Sequence, residues 1–470
     1  MSFWNRRKSP AAVHSLDASR QLKRTLSWPH LMALGVGAIV GTGIYTLIGV
    51  GAGMAGPAVI LSFIVAGVVC ACAALAYAEM ATMMPAAGSA YTYTYTVMGE
   101  FLAWIVGWSL ILEYSVVCSA VAVGWSGYAA GFVQATGLHV PAALLSGAFA
   151  GGVVNLPAIL IIVAVAAMLI AGTRESATVN TVLVVIKIIA LILFIALGLA
   201  AFNSGNLVPF MPYGFSSNTV GTQTRGVMAA AAIIFFAFYG FDAVSTAAEE
   251  AKNPKRDITL GIIGSMVACT ILYMAVAAAA LGAMPFTEFA ASPEPLAHIL
   301  RTLQHPLAAT AIGAAAVIAL PTVILAFMYG QSRIFFVMAR DGLLPEKLGR
   351  VNVRTGTPVT MTVFTAVVVS IVAGLFPLAD IASVANAGTL CAFVAVASCM
   401  LVLRVRQPGA VREFRTPLAW ILGPVAIAGC IYLFANLQPK TREYFVIWNV
   451  IGIAFYFAFS VRNSRLARDP

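Results

Sequence analysis

Charge is scarce in this sequence: Asp, Glu, Lys and Arg make up only 9% of the residues, against 61% hydrophobic ones, and the mean hydropathy is +0.94. A chain of 470 residues with that balance cannot hide its apolar surface in a water-soluble fold, so a soluble globular protein is excluded. Histidine is equally sparse. His14, His30, His139, His298 and His305 all avoid the middle of the apolar runs, which removes the usual metal sites of intramembrane enzymes. The seven cysteines fall inside apolar runs, as small buried side chains do, and imply neither a disulfide framework nor a metal cluster. No glycine-rich P-loop occurs, so no nucleotide cofactor is expected. The basic start (Arg6, Arg7, Lys8, Arg20, Lys23, Arg24) lacks the short apolar core and cleavage site of a removable signal peptide.

What the chain does have is long apolar runs separated by short polar loops, the pattern of a helical membrane protein and not of a barrel. The runs lie near 30–52, 57–84, 100–134, 154–172, 178–202 and 224–247, then 258–284, 307–338, 357–376, 380–404, 417–436 and 443–461. They predict an all-α polytopic protein with twelve transmembrane helices and both termini on one side. Basic residues choose the side. With a cytoplasmic N-terminus, the outer segments hold only Arg225, Arg301, Lys440 and Arg442. The inner ones hold the six of the tail, Arg174, Lys252, Lys255 and Arg256, and the later groups around Arg340, Lys347, Arg404, Arg412 and Arg465. The net charge of +10 follows from this bias toward an anionic inner leaflet, so it carries no argument for nucleic acid.

Two stretches interrupt the pattern. The first run contains Gly35, Gly37, Gly41 and Gly43, and each glycine weakens a helix. Gly37 and Gly41 have the spacing that lets a neighbouring helix approach closely. Alternatively the helix breaks at Gly41-Thr42-Gly43. The N–H and C=O groups freed there are tolerable only beside a cavity or ligand, and such a break suits a carboxylate. The sixth run holds Phe235-Phe236-Ala237-Phe238-Tyr239-Gly240-Phe241-Asp242, where a glycine followed by an acid again marks an interruption beside an aromatic cluster. Breaks in the first and sixth spans, at corresponding places of two five-span halves, point to an inverted-repeat transporter with its site at mid-membrane.

Charges within the runs come next. Glu79 lies near the inner end of the second span, in reach of interfacial water or a loop to cap. Glu113 is roughly 20 Å into the third by helical rise, costly unless it faces the bundle interior. Lys187 is about 14 Å from the inner start of the fifth, too deep to snorkel. Burial disfavours a charged ammonium, which makes Lys187 a candidate proton carrier; a structural cation held by backbone carbonyls is the other reading. The mixed-sign inner loops 248–257 and 330–345 suit salt bridges of little strength. The outer segment 286–305 fits short helices or a plain loop.

These stretches resemble the amino acid–polyamine–organocation superfamily, and within it the bacterial relatives of the cationic amino acid transporters. The matching residues are Gly35 to Tyr45, Ala76-Tyr77-Ala78-Glu79-Met80, Pro85 to Tyr93, Gly107 to Tyr114, Gly240 to Thr246, Glu249 to Asp257 and Gln331 to Pro345. The resemblance implies a five-plus-five inverted-repeat (LeuT-like) core at 29–406, preceded by a basic tail at 1–28 and followed by two peripheral helices at 407–462 and a tail at 463–470. Twelve spans, fewer than in many animal members, fit a bacterial-type member. It places Ile39, Gly41, Thr42 and Gly43 near a substrate carboxylate, and Phe236, Ala237, Phe238 and Gly240 near the amine or over the site. Glu113 and Asp242 match acids near the binding region, and Lys187 stands where sodium-coupled relatives hold an ion, which favours proton coupling. The implied function is proton-coupled import of a cationic or small neutral L-amino acid across the plasma membrane. The alternatives are an exchanger and a membrane-embedded amino acid sensor. No cofactor, metal, enzyme activity or obligate protein partner is expected; amino acid, protons and membrane lipid are.

Overall fold

The computed structural model describes residues 6–7, 26–85, 88–135, 137, 140–171, 177–220, 223–246, 251–345 and 359–468. Much of the basic tail, Arg174, residues 248–250 and the group Lys347, Arg350 and Arg354 lie outside the described residues.

Among the described residues the chain is mainly helical, with one short antiparallel pair, β1 (Asn218–Val220) and β2 (Gln223–Arg225), and two isolated bridges. Each of the twelve apolar runs contains a described helix. The first run is α1 (Trp28–Ile39), the single turn α2 (Thr42–Tyr45) and α3 (Leu47–Ala55), and the second is α4 (Val59–Met83). A short helix α5 (Ser89–Val97) leads into α6 (Glu100–Ala135), α7 (Leu156–Ile170) and α8 (Ala177–Ala200). The sixth run is split into α9 (Val227–Ile234) and α10 (Phe241–Thr246), and α11 (Pro254–Ala283) follows. The segment 286–305 forms two short helices, α12 (Phe286–Phe289) and α13 (Pro295–Thr302). Then come α14 (Pro306–Arg340), α15 (Val359–Leu375), α16 (Leu378–Arg406), α17 (Ala419–Ala435) and α18 (Pro439–Phe455), followed by short turns of helix at Val461–Asn463 and Arg465–Arg468. Among the described residues, eight stretches are long and apolar enough to cross a membrane, and four shorter apolar helices accompany them.

Local chemistry sets the ends. Proline opens α1, α7, α11, α13, α14 and α18, where its missing N–H costs nothing. Asn155 caps α7 by accepting from the Ala158 amide at 3.2 Å. Inside α14, Pro321 cannot donate to the carbonyl four residues back. That carbonyl, Val317 O, instead accepts from Trp125 Nε1 at 2.9 Å, so a defect in one helix becomes a bolt to another.

The centre of the bundle is α6, which packs against α14, α16, α7 and α15, while α11 lies against α1, α4 and α8. Outward faces of α7, α8, α15, α17 and α18 carry exposed Leu160, Ile189, Phe364, Trp420 and Val450, as lipid contact requires. The interior holds Glu79, Glu100, Glu113, Lys187 and Asp242, all 3% exposed or less. Helix α18 is fastened to α6 by reciprocal bonds, Trp108 Nε1 to Trp448 O at 2.8 Å and Trp448 Nε1 to Trp108 O at 2.9 Å. The indoles stack with centroids 4.8 Å apart.

Of the two alternatives for Glu79, the structure takes the loop cap. Its carboxylate accepts from Arg404 Nη2 at 2.6 Å and Nε at 3.1 Å, from Arg412 Nε at 3.2 Å and from the Thr416 amide at 2.8 Å. This pins the α16–α17 loop to α4. Removing one partner of a buried ion pair costs about 3–5 kcal/mol. Glu79→Gln is therefore expected to lower the melting temperature of the purified protein and its yield in the membrane; an unchanged melting curve would make the cluster an ordinary surface pair.

Candidate functional site

Helix α1 ends at Ile39, Gly41 is extended (φ −141°, ψ −150°), and α2 restarts at Thr42. The carbonyls that lose their helical donors at such an end need others. Lys187 Nζ, on α8, donates to Gly37 O at 3.1 Å, and Tyr273 OH, on α11, donates to Ile39 O at 2.7 Å. Lys187 is fully buried. On the far side of the break, Thr42 Oγ1 donates to Val121 O at 3.4 Å, and Tyr128 OH to Tyr45 O at 2.6 Å. The amides of Thr42 and Gly43 open a new turn and have no partner within it.

The sixth run breaks in the same manner. After α9, residues Phe235–Ala237 tighten to a 3-10 turn, and Gly240 has φ +119° before α10 begins. That backbone is open to glycine and strained for other residues. Asp242 accepts from the Gly240 amide at 3.1 Å and from Tyr114 OH at 3.3 Å, so its carboxylate holds the restart of the helix. Glu113 differs: both of its carboxylate oxygens are buried and neither is engaged as closely as those of Asp242, with the Thr389 hydroxyl as a neighbouring donor. It faces Asp242 and Tyr239 electrostatically.

The two breaks touch. A Cβ on Gly43 would lie 2.4 Å from the Cα of Ala237, and one on Gly240 would lie 2.9 Å from the backbone carbon of Ala38. Both glycines thus permit backbone-to-backbone contact between the interrupted runs. A Cβ on Gly41 would meet Val323 of α14 at 3.6 Å, an ordinary contact, whereas one on Gly37 would lie only 2.8 Å from Val184 of α8. Only Gly37 of the spaced pair serves close helix approach.

The aromatic residues divide. Phe236 stacks edge-on with Tyr239 (4.9 Å), which meets Phe327 of α14 (6.3 Å). Phe238 turns the other way, against Tyr273 (5.4 Å) and Phe63 (6.0 Å), and supports the wall from behind. Tyr273, Tyr114 and Val323 were not among the residues expected from sequence. A tyrosine in mid-span is the signal that finds the first two; nothing in an apolar run marks Val323. Away from the breaks, Glu294 of the segment before α13 pairs with Arg301 and packs on Gly131 of α6. Burial pushes its carboxyl above the usual range, and Arg301 opposes the shift.

Interrupted apolar helices, lipid-facing flanks and a polar centre define a multi-pass helical membrane protein. The sequence pattern of the family described as "Amino acid permease" matches residues 26–459. The chain is 42% identical to the branched-chain amino acid permease BcaP of Bacillus subtilis (strain 168) over 99% of both chains. It is 39% identical to the methylthioribose transporter of the same organism, over 99% of this chain and 100% of the other. It is 37% identical to the vacuolar cationic amino acid transporter 4 of Arabidopsis thaliana, over 86% of this chain and 68% of the relative. The chain belongs to the amino acid permease family, within the amino acid–polyamine–organocation superfamily.

Proposed function

We propose that this protein imports an L-amino acid together with a proton across the plasma membrane, by alternating access of a twelve-span, five-plus-five inverted-repeat core with both termini cytoplasmic. The observation that carries the reading is the pair of mid-span breaks in backbone contact at Gly43–Ala237 and Gly240–Ala38, since paired interruptions of this kind are where such transporters bind substrate. The substrate carboxylate meets the free amides around Gly41, Thr42 and Gly43. Its amine meets the carbonyls of the 3-10 turn at Phe236 and Ala237, with Ile39 and Gly240 shaping the approach. Lys187 carries the coupled proton: its contact with Gly37 O ties its charge state to the position of α1. The names of the branched-chain permease and the cationic amino acid transporter support an amino acid substrate, that of the methylthioribose transporter does not, and the buried carboxylate of Glu113 favours the cationic over the small neutral substrate. A branched-chain substrate is the second reading, favoured by the relative at 42% identity. Exchange of one amino acid for another is the alternative mechanism.

The test is uptake of labelled lysine, arginine, alanine and leucine into proteoliposomes under an inward proton gradient, with and without an uncoupler. Accumulation that collapses with the uncoupler supports symport and ranks the substrates. Uptake seen only after preloading makes the protein an exchanger, and saturable binding without uptake makes it a sensor. Glu113→Gln is expected to weaken a cationic substrate by about tenfold, the scale of one lost charged hydrogen bond, and alanine hardly at all. Equal losses for both substrates would remove Glu113 from side-chain selection.

A further inference from the structure

One amide side chain of α16 reaches the second break through its nitrogen, while its oxygen is buried with no hydrogen-bond partner among the described residues. Asn386 is fully buried, and its Nδ2 donates to Ala232 O at 2.6 Å and to Ile233 O at 3.1 Å. Both carbonyls belong to the last turn of α9, just before the 3-10 turn. Ile233 O also takes the Phe235 amide, so Asn386 adds a second donor to it; toward a helix end the carbonyls run short of helical donors, and inside a membrane an added donor there is worth most. The first break answers the same need with Lys187 and Tyr273. Each upstream half-helix is thus capped from a neighbouring helix, the first from α8 and α11, the second from α16.

The orientation of the amide follows from its chemistry. Turned over, its oxygen would face two carbonyl oxygens, so the NH2 end must point at α9. The backbone of α16 is itself held in place nearby. A Cβ on Gly388 would lie 2.9 Å from Ser109 O and 3.0 Å from Glu113 Cβ, so α16 lies directly on α6 and offers Asn386 from a rigid base.

We propose that Asn386 is a positioning residue for the substrate site. Its two amide hydrogens hold the end of α9, and so set where the carbonyls of Phe235 to Ala237 stand relative to Gly41–Gly43. It touches no substrate itself. The inference rests on the transport reading above.

The test compares wild type with Asn386→Leu, Asn386→Asp and Asn386→Ser in proteoliposomes, by exchange of the substrate that wild type moves, between pH 5.5 and 7.5 and per molecule of folded protein. Leu supplies no donor, Ser one, and Asp one only when protonated. The expected KM is raised roughly tenfold in Leu, the scale of a lost buried hydrogen bond, and less in Ser. The Asp variant's kcat/KM relative to wild type should climb as pH falls, while the Leu ratio stays flat. A wild-type KM in folded Leu protein, a Ser variant no better than Leu, or an Asp ratio as flat as that of Leu would each overturn the inference. If wild type itself moves no amino acid, the transport reading falls first; active wild type with unaffected variants removes only the role of Asn386.

Discussion

Gly43→Val is expected to abolish substrate uptake while the protein still reaches the membrane. The Cβ alone would stand 2.4 Å from the Cα of Ala237 and 3.2 Å from its amide nitrogen. Those are backbone atoms, so no side chain can swing aside. Overpacking of a core ordinarily costs about 1–3 kcal/mol. Here the strain is relieved by parting the two breaks, which separates the amides near Gly43 from the carbonyls of the 3-10 turn. Gly41→Ala is the steric comparison, because its Cβ meets only Val323 at 3.6 Å and should leave the two breaks in contact, with a smaller loss of uptake than Gly43→Val. Binding measured by thermal shift and uptake in proteoliposomes check both variants. An unchanged affinity in Gly43→Val would return the glycines to helix packing with no part in the site.

Lys187→Ala is expected to remove gradient-driven accumulation, by more than about tenfold, while exchange between preloaded vesicles survives in part. A hydrogen bond from a charged donor is worth about 1.5–3 kcal/mol, and this one joins α8 to Gly37 O at the end of α1. Tyr273 continues to hold Ile39 O at 2.7 Å, so the break keeps one of its caps and the fold survives. Normal accumulation in the variant would sink the proton-carrying role. Equal loss of exchange and accumulation would instead make Lys187 a structural clamp.

The helix bounds were legible within a few residues because each span must be apolar for most of its length. Runs expected at 307–338 and 380–404 became Pro306–Arg340 and Leu378–Arg406. The interruptions were legible too, since glycine and an acid are costly in mid-span and stand out there. What each polar residue does was not legible. Glu113 and Asp242 look alike in sequence, yet Asp242 is engaged by Gly240 and Tyr114 and the buried Glu113 carboxylate is held by no such pair. Phe236 and Phe238 are two residues apart and face different neighbours because the 3-10 turn rotates the chain between them.

By itself, then, the sequence determined that this protein lies in a membrane, where its helices run and where two of them break, because hydropathy and glycine content act locally. The tertiary structure decided what closes over those breaks. Glu79 finds Arg404 and Arg412 more than 300 residues away, Trp125 takes the carbonyl freed by Pro321, and Asn386 caps α9 from α16. Such partners are set by which helices pack together, and in an apolar solvent every freed polar group must find one.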